Sequence, residues 1–447
     1  MKIKLVSMIL IALIAFGTAG CGAKANVENL PAPATAGGEL IILSSTAFTD
    51  DWGWYHVVGE IQNNTGIPYT SIEIAVEVRD ADGNTLLKDS SGSPKERVNF
   101  TPLLETIAPK TTAPFEYSFD PEGAVPATYT ITIWTFMTGM TDYPAIAYEN
   151  IGWVNDSSGS FYLSGDLVNP GSEWVQVNGL AGAGLDPNSQ VVTAGWSATH
   201  ASVLAPAGDA NGLDRTPFII QFAVPRTAEV TQWALFWDVT TSEAPVDYGL
   251  QVEITNNYFD EVDNFHIIGR VTNGSTEKVR AQLIGGVYGA DGVALDATWS
   301  VVPLIIDPGA TVPFDLSSFN NVNWNLKLSS QIQGFTVRVD PSFTYVPTWE
   351  VVPLNSNNDV VTIEGGSWTI NGNVLNTSGK ELSGETVVVS IYDPQGKLVT
   401  TTSTRISPEG EAITDGQNSN YEVVLYFAPN VDVSGYTYRT IVQGEVK

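Results

Sequence analysis

Hydrophobic and polar positions along this chain alternate with a period of two, and one alternating phrase occurs four times. The copies read YHVVGEIQNN at 55–64, FYLSGDLVNP at 161–170, FHIIGRVTNG at 265–274 and WTINGNVLNT at 368–377. In each copy an aromatic residue, two aliphatic residues, a glycine and an asparagine fall on one face of an extended chain, since side chains alternate between faces. The phrase therefore predicts a half-buried β-strand.

Three positions of the phrase recur in every copy. We expect the glycine to leave room for a bulky residue of the facing sheet or to mark a bulge, and the asparagine to bond turn amides at the strand end. The aromatic, glycine and asparagine positions are Tyr55, Gly59, Asn63, Phe161, Gly165, Asn169, Phe265, Gly269, Asn273, Trp368, Gly372 and Asn376.

The spacing of these copies predicts the domain organisation. The glycines follow one another at steps of 106, 104 and 103 residues, which fits tandem sandwich domains of about 100 residues. A second alternating strand ending in a glycine turn follows in copies one, three and four, as in IYDPQG at 391–396, and no amphipathic helix is evident. The predicted fold class is all-β, with four tandem immunoglobulin-like β-sandwich domains at 38–142, 143–245, 246–346 and 347–447, the second being divergent.

The recurring set of residues resembles the FxLYD domain family. The resemblance is carried by the aromatic-x-h-x-Gly-x-h-x-Asn strand, by Ile391-Tyr392-Asp393 with its turn at Gly396, and by Pro408. The second repeat departs from it, with Leu185-Asp186-Pro187 at the tyrosine strand end. The resemblance implies an immunoglobulin-like sandwich in an exported bacterial protein or lipoprotein, and it brings no catalytic residues.

The N-terminus has the pattern of an export signal. Two lysines precede an apolar run, 5–16, that is too short to span a bilayer, and Thr18-Ala19-Gly20-Cys21 follows. Small residues before a cysteine resemble the bacterial lipobox, although Thr18 departs from its usual aliphatic residue. We predict a signal peptide at 1–20, with lipidated Cys21 opening a flexible tether at 21–37. A plain signal peptide with a chance cysteine is the alternative, and Cys21 is the chain's one cysteine, so no disulfide forms within the chain.

Composition narrows the range of partners. The chain carries 49 acidic and 20 basic residues, a net charge of −29. Such a surface repels nucleic acid and anionic lipid, so membrane attachment would depend on the lipid anchor. We therefore expect a membrane-anchored protein that meets no nucleic acid.

Three sets of residues are candidate sites. Acidic clusters make Asp50, Asp51, Asp80, Asp82, Asp260 and Asp263 candidate calcium ligands, although the pattern favours solvated turn residues. Trp52 and Trp54 are candidate sugar-stacking residues, with core or inter-domain packing as the alternative. His56, His200 and His266 are interpreted as exposed strand or loop residues.

These patterns predict a protein without enzymatic activity. The chain contains no G-x-S-x-G, H-E-x-x-H or phosphate-loop motif, and no cofactor is expected apart from calcium. We expect an exported, lipid-anchored envelope protein whose sandwiches serve a structural role or bind an extracellular or periplasmic protein or glycan. The alternative is a carbohydrate-binding lipoprotein of a polysaccharide uptake or degradation system.

Overall fold

Strands make up most of the described chain, as the alternating pattern predicts. The computed structural model describes residues 39–139, 143–155, 160–198, 201–223, 230–261, 263–318, 331–364, 367–406, 412–428 and 430–447. The predicted signal peptide, Cys21 and the tether lie outside these ranges, as do His200 and Pro408. Within them the one helical segment is a 3₁₀ turn at Ala290–Gly292, and no helix is long and apolar enough to cross a bilayer. The predicted all-β sandwich fold class is confirmed.

The first two sandwiches each have seven strands. Sandwich 1 contains β1 (Leu40–Thr49), β2 (Tyr55–Asn63), β3 (Tyr69–Arg79), β4 (Val98–Phe100), β5 (Thr106–Ile107), β6 (Thr112–Phe119) and β7 (Thr128–Thr138). Sandwich 2 contains β8 (Ala147–Asn155), β9 (Ser160–Val168), β10 (Trp174–Leu185), β11 (Val191–Trp196), β12 (Val203–Leu204), β13 (Arg215–Ala223) and β14 (Gln232–Ser242).

The last two sandwiches follow the same plan with small differences. Sandwich 3 contains β15 (Leu250–Phe259), β16 (Phe265–Asn273), β17 (Arg280–Tyr288), β18 (Ala294–Val301), β19 (Thr311–Ser318) and β20 (Gly334–Tyr345). Sandwich 4 contains β21 (Val351–Leu354), β22 (Ser356–Glu364), β23 (Ser367–Leu375), β24 (Leu382–Tyr392), β25 (Leu398–Ile406), β26 (Asn418–Tyr426) and β27 (Thr437–Val446).

Each sandwich is built from two antiparallel sheets. In the first sheet, the strand that carries the repeated phrase lies between two neighbours, with the orders β1-β2-β6, β13-β9-β8, β15-β16-β19 and β22-β23-β26. The second sheet has its main strand in β3, β10, β17 or β24, the strand that ends at the hairpin turn. An apolar core fills each sandwich, because along each strand inward apolar positions alternate with outward, more polar ones. The cores of sandwiches 1 and 3 each include one buried residue of the next sandwich, Ala181 and Val388.

The phrase glycine is covered by an aromatic ring of its own sheet. In sandwich 1, Gly59 pairs directly with Phe115 of β6, and a Cβ at Gly59 would lie 2.6 Å from that ring. The aromatic partners in the other sandwiches are Phe218, Phe314 and Tyr421. The bulky residue therefore comes from the neighbouring strand, and not from the facing sheet that the sequence pattern suggested.

A bulge in the other neighbouring strand also crowds each glycine, and its form alternates along the chain. One residue is bulged out of β1 and of β15, in sandwiches 1 and 3. Two residues are bulged out of β8 and of β22, in sandwiches 2 and 4. The first of the two is an asparagine with positive φ in both cases, Asn150 (55°) and Asn358 (56°). Odd and even sandwiches therefore form two structural classes.

The phrase asparagine closes the loop that follows the strand. Asn273 is fully buried; its amide donates to the carbonyls of Glu277 (2.7 Å) and Ile306 (2.9 Å), and its oxygen accepts from the Ser275 amide (2.9 Å). Equivalent bonds are made by Asn63, Asn169 and Asn376. This side chain thus satisfies backbone groups from two loops that would otherwise be buried without partners.

Consecutive sandwiches pack through the same pair of faces. The outward side of a first sheet meets the strand that follows the hairpin turn in the next sandwich. Side chains donate across each junction to backbone carbonyls: Thr46 to Val191 (2.9 Å), Ser164 to Ala294 (2.6 Å) and Asn256 to Val399 (2.9 Å). The sandwiches are therefore joined by a repeated contact as well as by the chain itself.

Candidate functional site

Three of the predicted calcium residues, Asp50, Asp80 and Asp260, begin hairpin turns, and their carboxylates accept hydrogen bonds from backbone amides of the turn. One oxygen of Asp50 accepts hydrogen bonds from the amides of Trp52 (2.9 Å) and Trp54 (2.8 Å). One oxygen of Asp80 does the same for Asp82 (2.9 Å) and Asn84 (2.8 Å). An acidic side chain at the first position of a five-residue turn therefore stabilises the turn.

This turn is a recurring element of the chain. The acid accepts hydrogen bonds from the backbone amides two and four residues later; for Asp260, the bond is from the amide four residues later. The residue three places after the acid has positive φ. Members of the set begin at Asp50, Asp80, Asp89, Asp186, Asp209, Asp260 and Asp393. Asp263 is the positive-φ residue of its own turn (66°). Across the described ranges, no three histidine, cysteine or acidic side chains are grouped to hold a metal ion.

Two histidines of the repeated phrase lie in matching carboxylate clusters. In sandwich 1, His56 contacts Glu116 through Nδ1 (2.8 Å) and Asp50 through Nε2 (3.2 Å), and its ring stacks on Phe48 (4.7 Å). His56 is only 6% exposed, so the interpretation of an exposed strand histidine is wrong for this residue. Phe48, which covers it, packs against sandwich 2.

The cluster in sandwich 3 repeats this arrangement. His266 contacts Asp315 through Nδ1 (2.8 Å) and Asp260 through Nε2 (3.4 Å), and it stacks on Tyr258 (4.8 Å). The Tyr258 hydroxyl bonds across the junction to Thr400 (2.8 Å) and to the Tyr426 carbonyl (3.0 Å) of sandwich 4. The covering aromatic residue is thus also a junction residue.

The surroundings of both histidines favour the protonated, positively charged form of the ring. Burial lowers the pKa of His56, but the hydrogen bonds and charges of Glu116 and Asp50 outweigh burial and raise the pKa above its ordinary value. Asp315 and Asp260 raise the pKa of His266 in the same way. Because a carboxylate faces each ring nitrogen, neither histidine has a nitrogen directed toward an open coordination position. The clusters suit ion pairing in the fold rather than metal binding.

The sequence contained a signal for these clusters that pattern reading missed. An aromatic residue, an acid two places later and a histidine six places after the acid occur as Phe48-Asp50-His56 and as Tyr258-Asp260-His266. The fourth member, Glu116 or Asp315, lies 60 or 49 residues from its histidine, and only strand pairing brings it there. The local three residues were predictable as a repeat, whereas the distant carboxylate was not.

The candidate sugar-stacking residues are on the surface. Trp52 and Trp54 are 69% and 45% exposed, and they flank Gly53 at the tip of the Asp50 turn. Two other tryptophans, Trp196 (62% exposed) and Trp299 (47%), occupy equivalent places in β11 and β18, five residues after the strand start. Core packing therefore does not explain these four side chains.

Comparison with known proteins leaves the family open. No family model matches the chain, and no curated protein sequence matches it. Among solved structures, red sea bream transglutaminase is similar over 44% of this chain and 29% of its own, with 12% identity and a TM-score of 0.15. The native conformation of E. coli alpha-2-macroglobulin is similar over 90% and 28% (10% identity, TM-score 0.13). Dimeric latent PorU from Porphyromonas gingivalis is similar over 71% and 35% (14% identity, TM-score 0.14).

These likenesses are too weak to carry an argument about function. In each case the chain spans about a third or less of the length of the matched protein.

Proposed function

We propose that this chain is an exported, lipid-anchored envelope protein that holds four sandwiches in a fixed series and binds a protein or glycan partner through exposed loops. The sequence support is the short apolar N-terminal run before Cys21 and the FxLYD-like phrase. In this proposal the protein has no enzymatic activity and serves as a spacer and binding surface outside the cytoplasm.

The repeated junction is the observation that carries the structural part of the proposal. Domains in one chain move relative to one another unless apolar contact holds them, and the first junction buries Val58 against Ala183 and Val191. Each junction also contains a side chain bonded to a backbone carbonyl of its neighbour. The third junction adds a reciprocal pair, in which Gln443 accepts from the Ile305 amide (2.9 Å) and donates to its carbonyl (2.8 Å). A series fixed in this way suits a protein that presents a surface at a set distance from an anchor.

Replacing the proposed lipidation residue tests the anchoring directly. We expect the wild-type chain to fractionate with membranes and to incorporate a labelled fatty acid, and Cys21→Ser to do neither, because the lipid thioether cannot form. A Ser44→Ala variant, altered far along the chain from the signal, is the control and should behave as wild type. Membrane retention of Cys21→Ser without label would contradict lipid anchoring.

The exposed Trp52–Trp54 tip favours carbohydrate binding as the second candidate function. Exposed aromatic rings can stack on sugars while neighbouring carboxylates accept hydrogen bonds from the sugar hydroxyls. On a glycan array, we expect binding by the wild-type chain that is lost in the double variant Trp52→Ala/Trp54→Ala and kept in Trp196→Ala, which removes an equally exposed ring. Equal binding by all three proteins would show that the tip is not a glycan site.

A further inference from the structure

A cleft lies where sandwiches 2 and 3 meet. Its volume is about 490 Å³, within the range of small-molecule sites. The walls come from the start of β10, from the turn at Asp209, from the connection 245–249 between the sandwiches and from β20. Because residues of both sandwiches form it, the cleft depends on the fixed junction.

The cleft wall contains an arginine whose hydrogen-bonding groups are incompletely used. Arg338 of β20 donates from Nη1 to the carbonyl of Gly212 in sandwich 2 (2.6 Å). Its Nε and Nη2 are buried and have no hydrogen-bond partner among the residues that the structure describes. Burial lowers the pKa of Arg338 to about 10, and the charge of Asp340 acts in the opposite direction. A buried guanidinium with two unused donors is costly, and an acceptor delivered from the adjacent cleft would offset that cost.

The wall also contains aromatic, acidic and amide side chains, set among aliphatic ones such as Leu213, Val246 and Val337. Trp174 and Tyr248 offer rings, and Asp209, Asp247 and Asn211 offer oxygen acceptors or an amide. The acidic side chains and the net charge of −29 disfavour an anionic ligand, while Arg338 disfavours a cationic one. An uncharged ligand that both donates and accepts hydrogen bonds can pair with the acidic side chains and with Arg338. Hydroxyl groups on a saturated ring have this property, and the ring faces stack on aromatic side chains.

We propose that this cleft binds a neutral sugar, from a monosaccharide to a trisaccharide, seated against Trp174 and Tyr248 with hydroxyls toward Asp247, Asn211 and Arg338. The site is separate from the Trp52–Trp54 tip, and it does not depend on lipid anchoring. It would give the chain a soluble-ligand specificity in addition to any partner bound at its loops.

Calorimetric titration of the purified full chain in detergent tests this site, with cellotriose, maltotriose and chitotriose as probes at up to about 10 mM. We expect at least one of them to bind and trigalacturonate, the anionic probe, to bind more weakly. Trp174→Ala should weaken the binding at least about tenfold, because the stacking ring is lost. Trp299→Ala removes a partly exposed ring outside the cleft lining and should bind as wild type.

Two further variants guard against loss of folding. Asn211→Ala changes an exposed residue and should weaken binding without moving the thermal midpoint. Tyr248→Phe keeps the ring and should retain most of the affinity. The proposal is overturned if none of the neutral probes binds, if trigalacturonate binds best, or if Trp174→Ala and Asn211→Ala both bind like Trp299→Ala. Loss of binding in Trp52→Ala/Trp54→Ala alone would place the sugar at the tip instead.

Discussion

The phrase glycine is the residue whose identity the packing constrains most directly. A Cβ at Gly59 would lie 2.2 Å from the Ser44 carbonyl oxygen of the bulged strand and 2.6 Å from the Phe115 ring. Both contacts are far inside the van der Waals distance, and the oxygen belongs to the backbone, which cannot move without breaking strand pairing. Any side chain at this position must therefore distort the first sheet.

Alanine substitution measures this constraint. We expect Gly59→Ala to reduce the free energy of unfolding by about 1–3 kcal/mol through overpacking. Gly66→Ala is the matched control, since its Cβ would meet no atom within 4 Å, and it should change stability little. Urea titration followed by hydrogen exchange in β2 would separate sandwich 1 from the others. Equal stability of the two variants would show that the bulge and ring rearrange freely.

Parity along the chain was enough to predict which residues of the phrase share a face. It could not identify what lies against each of them. Phe115 follows Gly59 by 56 residues, and the Ser44 oxygen precedes it in a strand whose bulge has no marker in the sequence. The sequence thus singled out the glycine. The reason why no side chain fits there became clear only from the strand pairing.

Strands and turns show the same division between local and distant information. Alternation predicted the phrase strands, and the D-x-x-G turns at Asp80 and Asp393 are visible in the sequence. Asp186 holds the same turn in sandwich 2, although Leu185 replaces the tyrosine and Ser189 (φ 62°) replaces the glycine. The second repeat is divergent in its side chains at this turn, but the backbone geometry of the turn is the same as at Asp80 and Asp393.

The histidine clusters make the stability of the odd sandwiches depend on pH. The pKa of His56 in the folded protein is raised above the unfolded value of about 6.5. The stability that protonated His56 contributes to the fold is therefore fully present below about pH 6.5 and is lost as the pH rises through the folded pKa. The stability difference between wild type and His56→Gln should therefore shrink as the pH is raised from about 6.5 into the alkaline range.

Denaturant unfolding at intervals across that range is the measurement. Tyr162→Phe is the control, since Tyr162 occupies the same column of the phrase in sandwich 2, and that copy of the phrase contains no histidine. A stability difference for His56→Gln that stays constant or grows with pH would mean that His56 is neutral in the folded protein.

At the scale of the whole molecule, outward faces decide whether the sandwiches stay together. Val58 lies just before the phrase glycine on the outward side of β2, and it is fully buried against Ala183 and Val191 of sandwich 2. The corresponding residue in sandwich 4 is Asn371, which is partly exposed. The same strand position is thus a packing residue at a junction and a polar residue in the last sandwich.

A carboxylate at this position should separate neighbouring sandwiches without unfolding them. We expect Val58→Asp to increase the radius of gyration in X-ray scattering, since a charge buried at the first junction lacks a partner. Asn371→Asp places the same charge in the last sandwich and should leave the scattering curve unchanged. Unaltered scattering for Val58→Asp would mean that the remaining junction contacts suffice to hold sandwiches 1 and 2.

The alternation of bulge type and histidine cluster gives the chain a true structural period of two sandwiches. A histidine-bearing face meets an even sandwich at the first and third junctions, and a face of the other class meets an odd sandwich at the second. Excising sandwiches 2 and 3 together would join the His56 face to sandwich 4, which already accepts the matching His266 face. Excising one internal sandwich would instead bring a face of one class against a sandwich that now packs on a face of the other class. A chain shortened by two internal sandwiches therefore keeps junctions of the existing kinds, whereas a chain shortened by one does not.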